Sequence, residues 1–258
     1  GVWRPNKRIV VFESDDWGST RMENPDIQAY FFTKYPELRQ SWMDVYDALE
    51  TPQNINDLSS AADEISDYIG KPFCITLLLN SHNAHVGEIS RSAYTRYYNE
   101  DFLSSAQRIF GGGASLKSAY LRALAGRSIE IQLHGQEHVQ RSVLLHLLNN
   151  RNLKDFKEDF SYGYYASLFH KGKYTPTQLR ATFYPFLSDD YTWQINSLSD
   201  SMDFLKLQFN CNTDYLVPPN GPVSFEVLKK IKHLGINGLV SPLVNKTFYF
   251  KRLQIPLY

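Results

Sequence analysis

Short apolar runs alternate with helix-length stretches along this chain, and most of those runs end in polar residues. Lys7-Arg8-Ile9-Val10-Val11-Phe12 reads as a buried strand that delivers Glu13-Ser14-Asp15-Asp16 at its C-terminal end. Residues 24–50 are mixed, with a helical piece from Asp44 to Leu49. Ile55, Leu58, Ala62, Ile65 and Ile69 fall near helical spacing, and Gly70 closes that helix as a C-terminal glycine does. Pro72 to Leu79 is a second buried strand, with Asn80, His82 and His85 at its end. Residues 103–126 read as helix around the break Gly111-Gly112-Gly113, and Ile129 to Leu133 as a third strand. Helices are expected over 139–160 and 188–207. Leu207 to Cys211 enters a fourth strand ending near Val217-Pro218-Pro219-Asn220-Gly221. Ser224 to Leu234 is helical, and Gly235 to Val240 is a fifth strand. This rhythm specifies an α/β fold with a parallel sheet covered on both faces. No repeat, low-complexity tract or linker interrupts it, so one domain over residues 1–258 is expected.

The size and balance of the chain narrow its partners. With 258 residues and 43% hydrophobic content it can bury a substantial core. Its 27 basic and 27 acidic residues cancel, so nothing points to nucleic acid or an anionic membrane. No apolar run approaches the roughly 20 residues of a membrane-spanning helix. The first residues lack the apolar stretch of a signal peptide, which leaves the compartment open between cytoplasm and cell envelope. Cys74 and Cys211 lie in apolar runs and read as buried thiols, not a disulfide. The 17 Tyr, 16 Phe and 4 Trp residues could furnish stacking platforms for sugars, although any one ring more often packs the core.

In such folds, polar residues at strand C-termini converge on a site. Two segments so placed carry chemistry. His134 and His138 stand four residues apart in Leu133-His134-Gly135-Gln136-Glu137-His138. If the chain turns helical there, they share one face and can hold a divalent metal that wants a further carboxylate. The bland alternative is a core histidine and a surface one. The HExxH protease arrangement does not apply, because Gly135 stands where the glutamate is needed. Asp15 and Asp16 supply the missing carboxylate, one for the metal and one as a general base facing a water. Read alone, they are an acidic loop or a helix cap. Asn80, His82 and His85 form a weaker polar cluster lining the cleft. His146, His170 and His233 read as structural or solvated.

These segments resemble the motifs of the polysaccharide deacetylase family (carbohydrate esterase family four, the nodulation-protein-B homology domain). Glu13-Ser14-Asp15-Asp16-Trp17-Gly18 resembles its first motif, TFDDG, with Trp17 inserted before the glycine. His134-Gly135-Gln136-Glu137-His138 keeps the histidine spacing of the second. Leu216-Val217-Pro218-Pro219-Asn220-Gly221 resembles the third, but Val217 stands where that family has an arginine that orients the base aspartate. The fourth motif has no match near Gly238-Leu239-Val240-Ser241. No histidine after His233 supplies the acid of the fifth, and Leu253 to Tyr258 reads as a strand cut short, so either the chain is truncated there and the fifth motif lies in a missing segment, or the acid is absent.

The resemblance implies a distorted, incomplete (β/α)7-type barrel with parallel strands. It implies Asp15 as base and Asp16, His134 and His138 as ligands of a divalent metal, zinc first, with cobalt or nickel compatible. It further implies a polysaccharide or glycan substrate from which an N- or O-linked acetyl group is removed, with Trp17, Asn80, Pro218, Pro219 and Asn220 at the substrate. Two other functions fit the same residues. One is a glycan-binding module that kept the groove and lost turnover. The other is a metal-dependent amidohydrolase acting on a small amide. All three require the ends of the first and third strands to meet around one cation.

Overall fold

The structure, a computed structural model, describes residues 6, 9–46, 48–165, 179–240, 245–248 and 254–257. Strand β1 (Glu13–Trp17) leads to helices α1 (Pro25–Lys34), α2 (Trp42–Tyr46) and α3 (Pro52–Ile69), with a 3-10 turn at Pro36–Gln40. Strand β2 (Ile75–Asn80) is followed by β3 (His82–Ala84), α4 (Val86–Arg91), β4 (Asn99–Asp101), α5 (Phe102–Phe110) and α6 (Gly113–Gly126). Strand β5 (Ile129–Gly135) precedes α7 (Arg141–Leu148), α8 (Lys154–Ser161) and α9 (Asp190–Phe209). Then come β6 (Tyr215–Leu216), α10 (Phe225–Ile231), β7 (Gly238–Leu239), β8 (Asn245–Phe248) and β9 (Gln254–Leu257).

Strands β1, β2, β5, β6 and β7 form a five-stranded sheet in that spatial order. Every pairing within it is parallel. Each strand therefore lies beside its predecessor, and the crossovers all step one way. The sheet curves as it goes. Tyr215 of β6 donates a 2.7 Å hydrogen bond to Glu13 of β1, although β2 and β5 lie between their strands.

One face of the sheet is apolar. Leu77, Leu79, Ile129, Ile131 and Leu133 are buried there with Ile55 of α3, Leu116 and Tyr120 of α6, Leu198 and Leu205 of α9, and Val227 of α10. Burying each such side chain contributes about 1.5–3 kcal/mol, which fixes how the strands face. The other face carries Gln132, whose Oε1 accepts from the backbone N–H of Asp214 and Tyr215 and so docks β6 onto β5.

Local signals placed several elements as expected. Thr51 and Asn54 form a capping box at the start of α3, Pro52 occupies its first turn, and Gly70 ends it with φ +63°. Helices α5 and α6 flank the predicted glycine break.

Elsewhere the structure corrects the sequence reading. Ile9, Val10, Val11 and Phe12 are not buried; they are 51–76% exposed, and the strand starts at Glu13. The reason is register. Glu13 pairs with Thr76 and β2 begins at Ile75, so the ladder reaches back only to the Phe12 carbonyl, which accepts from Thr76 N–H at 2.9 Å, and stops there. Cys74, beside this uncovered end, is exposed, and Cys211 is partly buried; both are free thiols. Leu207 to Phe209 is not a strand but the last turn of α9, terminated by Asn210 at φ +54°. Helical residues 139–160 divide into α7 and α8. His170 lies outside the described residues. Among the described residues, no helix is long and apolar enough to cross a membrane.

Candidate metal centre

Strand β1 delivers its two aspartates through a bulge. Ser14 pairs with Leu77 and Trp17 with Leu79, so three steps of β1 are matched by two of β2. The extra residue re-aims the side chains after Ser14, and Asp16 takes the left-handed conformation at φ +65°. Gly18 follows at φ +76°, where a Cβ would stand 2.2 Å from the carbonyl oxygen of Asn80. Only glycine lets the chain pass β2 at that distance.

The turn after β1 is tied on all sides. The Gly18 N–H donates to Glu50 Oε2 at 3.0 Å, and its carbonyl accepts from Asn83 Nδ2 at 2.9 Å. Thr20 N–H donates to Asn83 Oδ1, and Asn80 Nδ2 donates to Ser19 Oγ. Glu50 is buried and also accepts from Tyr120 Oη at 2.5 Å. Burial pushes the Glu50 carboxyl above its usual range, against the pull of those donors.

The histidines come from a strand and a loop rather than from a helix. His134 lies within β5, which runs on to Gly135, and α7 begins only at Arg141. His138 sits in the intervening loop, with its ring centroid 5.4 Å from that of His134. Arg141 pins this loop: Nε donates to Glu137 Oε1 at 2.5 Å, and the guanidinium lies 4.8 Å from the ring centroids of Tyr97 and Trp193. Tyr97 Oη also donates to Glu137, and His82 N–H donates to the Gln136 carbonyl.

These loops meet. Asp16 Oδ1 lies 3.2 Å from Nε2 of His134 and 3.2 Å from Nε2 of His138. The donor atoms of the three residues fall within 4.8 Å of one another, so the group could hold a metal ion. The separations fit one. Two ligands about 2.0–2.1 Å from a tetrahedral zinc stand about 3.3 Å apart.

The hydrogen bonding points the same way. Nδ1 of His134 donates to the backbone carbonyl of Val217 at 2.6 Å. A carbonyl can only accept, so Nδ1 carries a proton, and in the neutral ring Nε2 then presents its lone pair toward Asp16. Asp16 Oδ1 and His134 Nε2 are both buried and make no hydrogen bond, and His138 Nδ1 is buried without a partner. A carboxylate facing an imidazole lone pair is repulsive unless a cation lies between them.

Electrostatics set each group in its ligating form. Burial, reinforced by Arg180 and His134 and opposed by Asp16, pulls His138 down to about 3, so its imidazole is neutral near pH 7. Burial disfavours the Asp16 anion. The positive charge that the two imidazoles carry when protonated, together with Arg180, more than offsets it and holds that carboxyl well below the usual carboxylate range.

A cavity of about 440 Å³ opens over this centre. Asp15, Asp16, Trp17 and His138 line it. So do five residues that sequence reasoning passed over: Arg21, Glu50, Tyr164, Tyr165 and Arg180. No motif marks them, because loops distant in sequence bring them in. Trp17 also packs against the main core. Pro218, Pro219 and Asn220 do not line the cavity; the prolines are buried and Asn220 is exposed. Asn80 is fully buried beneath it. His82 Nδ1 hydrogen-bonds Ser81 Oγ, and His85 caps α4 by accepting from Glu88 N–H, so neither joins the centre.

No family model, curated protein or solved structure matches this chain.

Proposed function

We propose that this chain is a metal-dependent hydrolase that removes N- or O-linked acetyl groups from a polysaccharide or glycan. The observation that carries this reading is the bare Nε2 of His134, held toward Asp16 by the Val217 carbonyl and accompanied by His138. The sequential parallel strands and the curved sheet also support an incomplete barrel of the polysaccharide deacetylase kind.

Asp16, His134 and His138 would hold a divalent ion, zinc first, with cobalt or nickel suited to the same donors. Such an ion supplies Lewis acidity and lowers the pKa of a water from about 15.7 to near 7. Asp15, in β1, lines the cavity beside Asp16 and takes the proton of the attacking water. The water oxygen bonds to the acetyl carbon, the carbon–nitrogen or carbon–oxygen bond to the sugar breaks as the proton held by Asp15 passes to the departing nitrogen or oxygen, and acetate leaves. Trp17 and Tyr165, both partly exposed along the cavity, offer aromatic walls to the substrate.

The test is acetate release from acetylated glycans with metal supplied. Wild type should release acetate, and Asp15→Asn should be slower by at least about 100-fold. Equal rates in the two proteins would refute the assignment.

A second reading has one specific support. Val217 contributes a carbonyl where the resembling family has an arginine side chain, so the chain could bind glycan and metal without turnover. It predicts glycan binding with no acetate released by any variant.

A further inference from the structure

The cavity holds a cation that the chemistry above leaves unused. We propose that Arg180 forms a subsite for an anionic group, a carboxylate or phosphate, carried by the substrate.

The argument starts from pairing. Each of the other buried arginines near the centre has a carboxylate. Arg21 Nη1 meets Asp44 Oδ1 at 3.4 Å, and Arg141 Nε meets Glu137 Oε1 at 2.5 Å. Among the described residues, Arg180 has no carboxylate within ion-pair distance and no hydrogen bond, although it is partly buried in the cavity wall. The carboxylates around it are engaged. Asp44 faces Arg21, Glu137 faces Arg141, and Asp16 faces the two imidazoles.

A guanidinium keeps its charge in a protein, so an unpaired one in a wall costs free energy that a ligand can recover. The surroundings confirm the cost. Burial first, then the repulsion of Arg21, press the Arg180 guanidinium below its ordinary basicity, and Asp16, Asp44 and Tyr165 only partly compensate. With a divalent cation on Asp16, His134 and His138, the floor of the cavity becomes more positive still, and an anion entering beside Arg180 is favoured further. The planar fork of donors on a guanidinium matches the oxygens of a carboxylate or phosphate, so the pairing is directional as well as electrostatic. An acylated sugar bearing an acid group would thus be held by its anion at Arg180 while its acyl group reaches Asp15 and the triad.

The proposal rests on the hydrolase reading for the identity of the occupant, and its test separates the two. Binding of inorganic phosphate and of glucuronate to the full chain is measured by calorimetry, for wild type, Arg180→Met, Arg180→Gln and His134→Ala. Wild type should bind both anions. Measured with chelator present, so that no cation on the triad contributes, both Arg180 variants should bind at least tenfold more weakly, and His134→Ala should stay within about threefold of wild type. The pair of Arg180 variants guards against one of them misfolding. Equal affinity in wild type and a folded Arg180 variant overturns the subsite. Loss in His134→Ala but not in the Arg180 variants places the anion on the triad and also overturns it. Arg180-dependent anion binding without acetate release from any sugar upholds the subsite and removes the hydrolase reading.

Discussion

Tyr215 reaches across the sheet to hydrogen-bond Glu13 at 2.7 Å, joining the fourth strand in spatial order to the first. Three steps of about 4.8 Å would put those strands roughly 14 Å apart on a flat sheet, beyond the reach of the two side chains together. The sheet must therefore bend toward the face that carries Glu13, Thr76 and Tyr215. The same bend brings the end of β1 to the end of β5, where Asp16 meets His134.

The curvature predicts an energetic link between strands that are not neighbours. A double-mutant cycle with Glu13→Gln and Tyr215→Phe should give a coupling of about 0.5–1.5 kcal/mol in urea unfolding. Strictly additive variants would mean that the contact is not formed in solution.

Metal should stabilise the folded chain. Zinc at 100 times its dissociation constant raises the unfolding free energy by about 2.7 kcal/mol. Chelator should reverse the gain, and Asp16→Asn or His134→Ala should lose most of it. Thermal melts with and without zinc are sufficient, and a wild type indifferent to zinc, cobalt and nickel would end the case for the triad.

Gly18→Ala should be costly despite its small size. The new Cβ would overlap the Asn80 carbonyl at 2.2 Å, and φ is +76°. Backbone on both sides cannot yield without breaking the β1–β2 ladder, so a loss of about 2–4 kcal/mol is expected in denaturant unfolding. A loss under 1 kcal/mol would show that the turn is not held as described.

Acid should weaken the metal-free protein through His138. Its ordinary value is 6.5, and burial brings it to about 3 in the folded site. Between these pH values the unfolded chain binds a proton that the folded site refuses. Stability from this group is therefore complete above 6.5 and falls as the pH falls, by at most about 1.4 kcal/mol per pH unit. The lowered carboxyl of Asp16 acts only below about its own ordinary value of 3.8, so between pH 7 and pH 5 the effect belongs to His138. The stability gap between wild type and His138→Gln should shrink from pH 7 to pH 5, and a gap unchanged over that range contradicts the burial argument.

Local chemistry made much of this readable in advance. Thr51, Pro52 and Gly70 bracket α3 because capping depends on residues only a few positions apart. Asp16 and His134 could be assigned to strand ends because apolar runs announce strands. Register is less local, and there the reading slipped. Ile9 to Phe12 looked like a strand by composition, yet β2 begins at Ile75 and its ladder reaches back only to the Phe12 carbonyl. Leu207 to Phe209 looked like a strand too, yet α9 carries on through it until Asn210. The helical turn expected between His134 and His138 is a strand end and a loop, and the two rings converge all the same.

The order of residues along the chain determined the α/β class and the three residues able to ligate one cation. Folding in three dimensions decided the rest. It set the bulge that turns Asp16, the Val217 carbonyl that holds a proton on Nδ1 of His134, and the arrival of Glu50 and Arg180 at the cavity. Capping and periodicity act over a few residues and leave a trace in sequence. Contacts between distant segments depend on how far a sheet bends and where loops end, and no short pattern of residues records either.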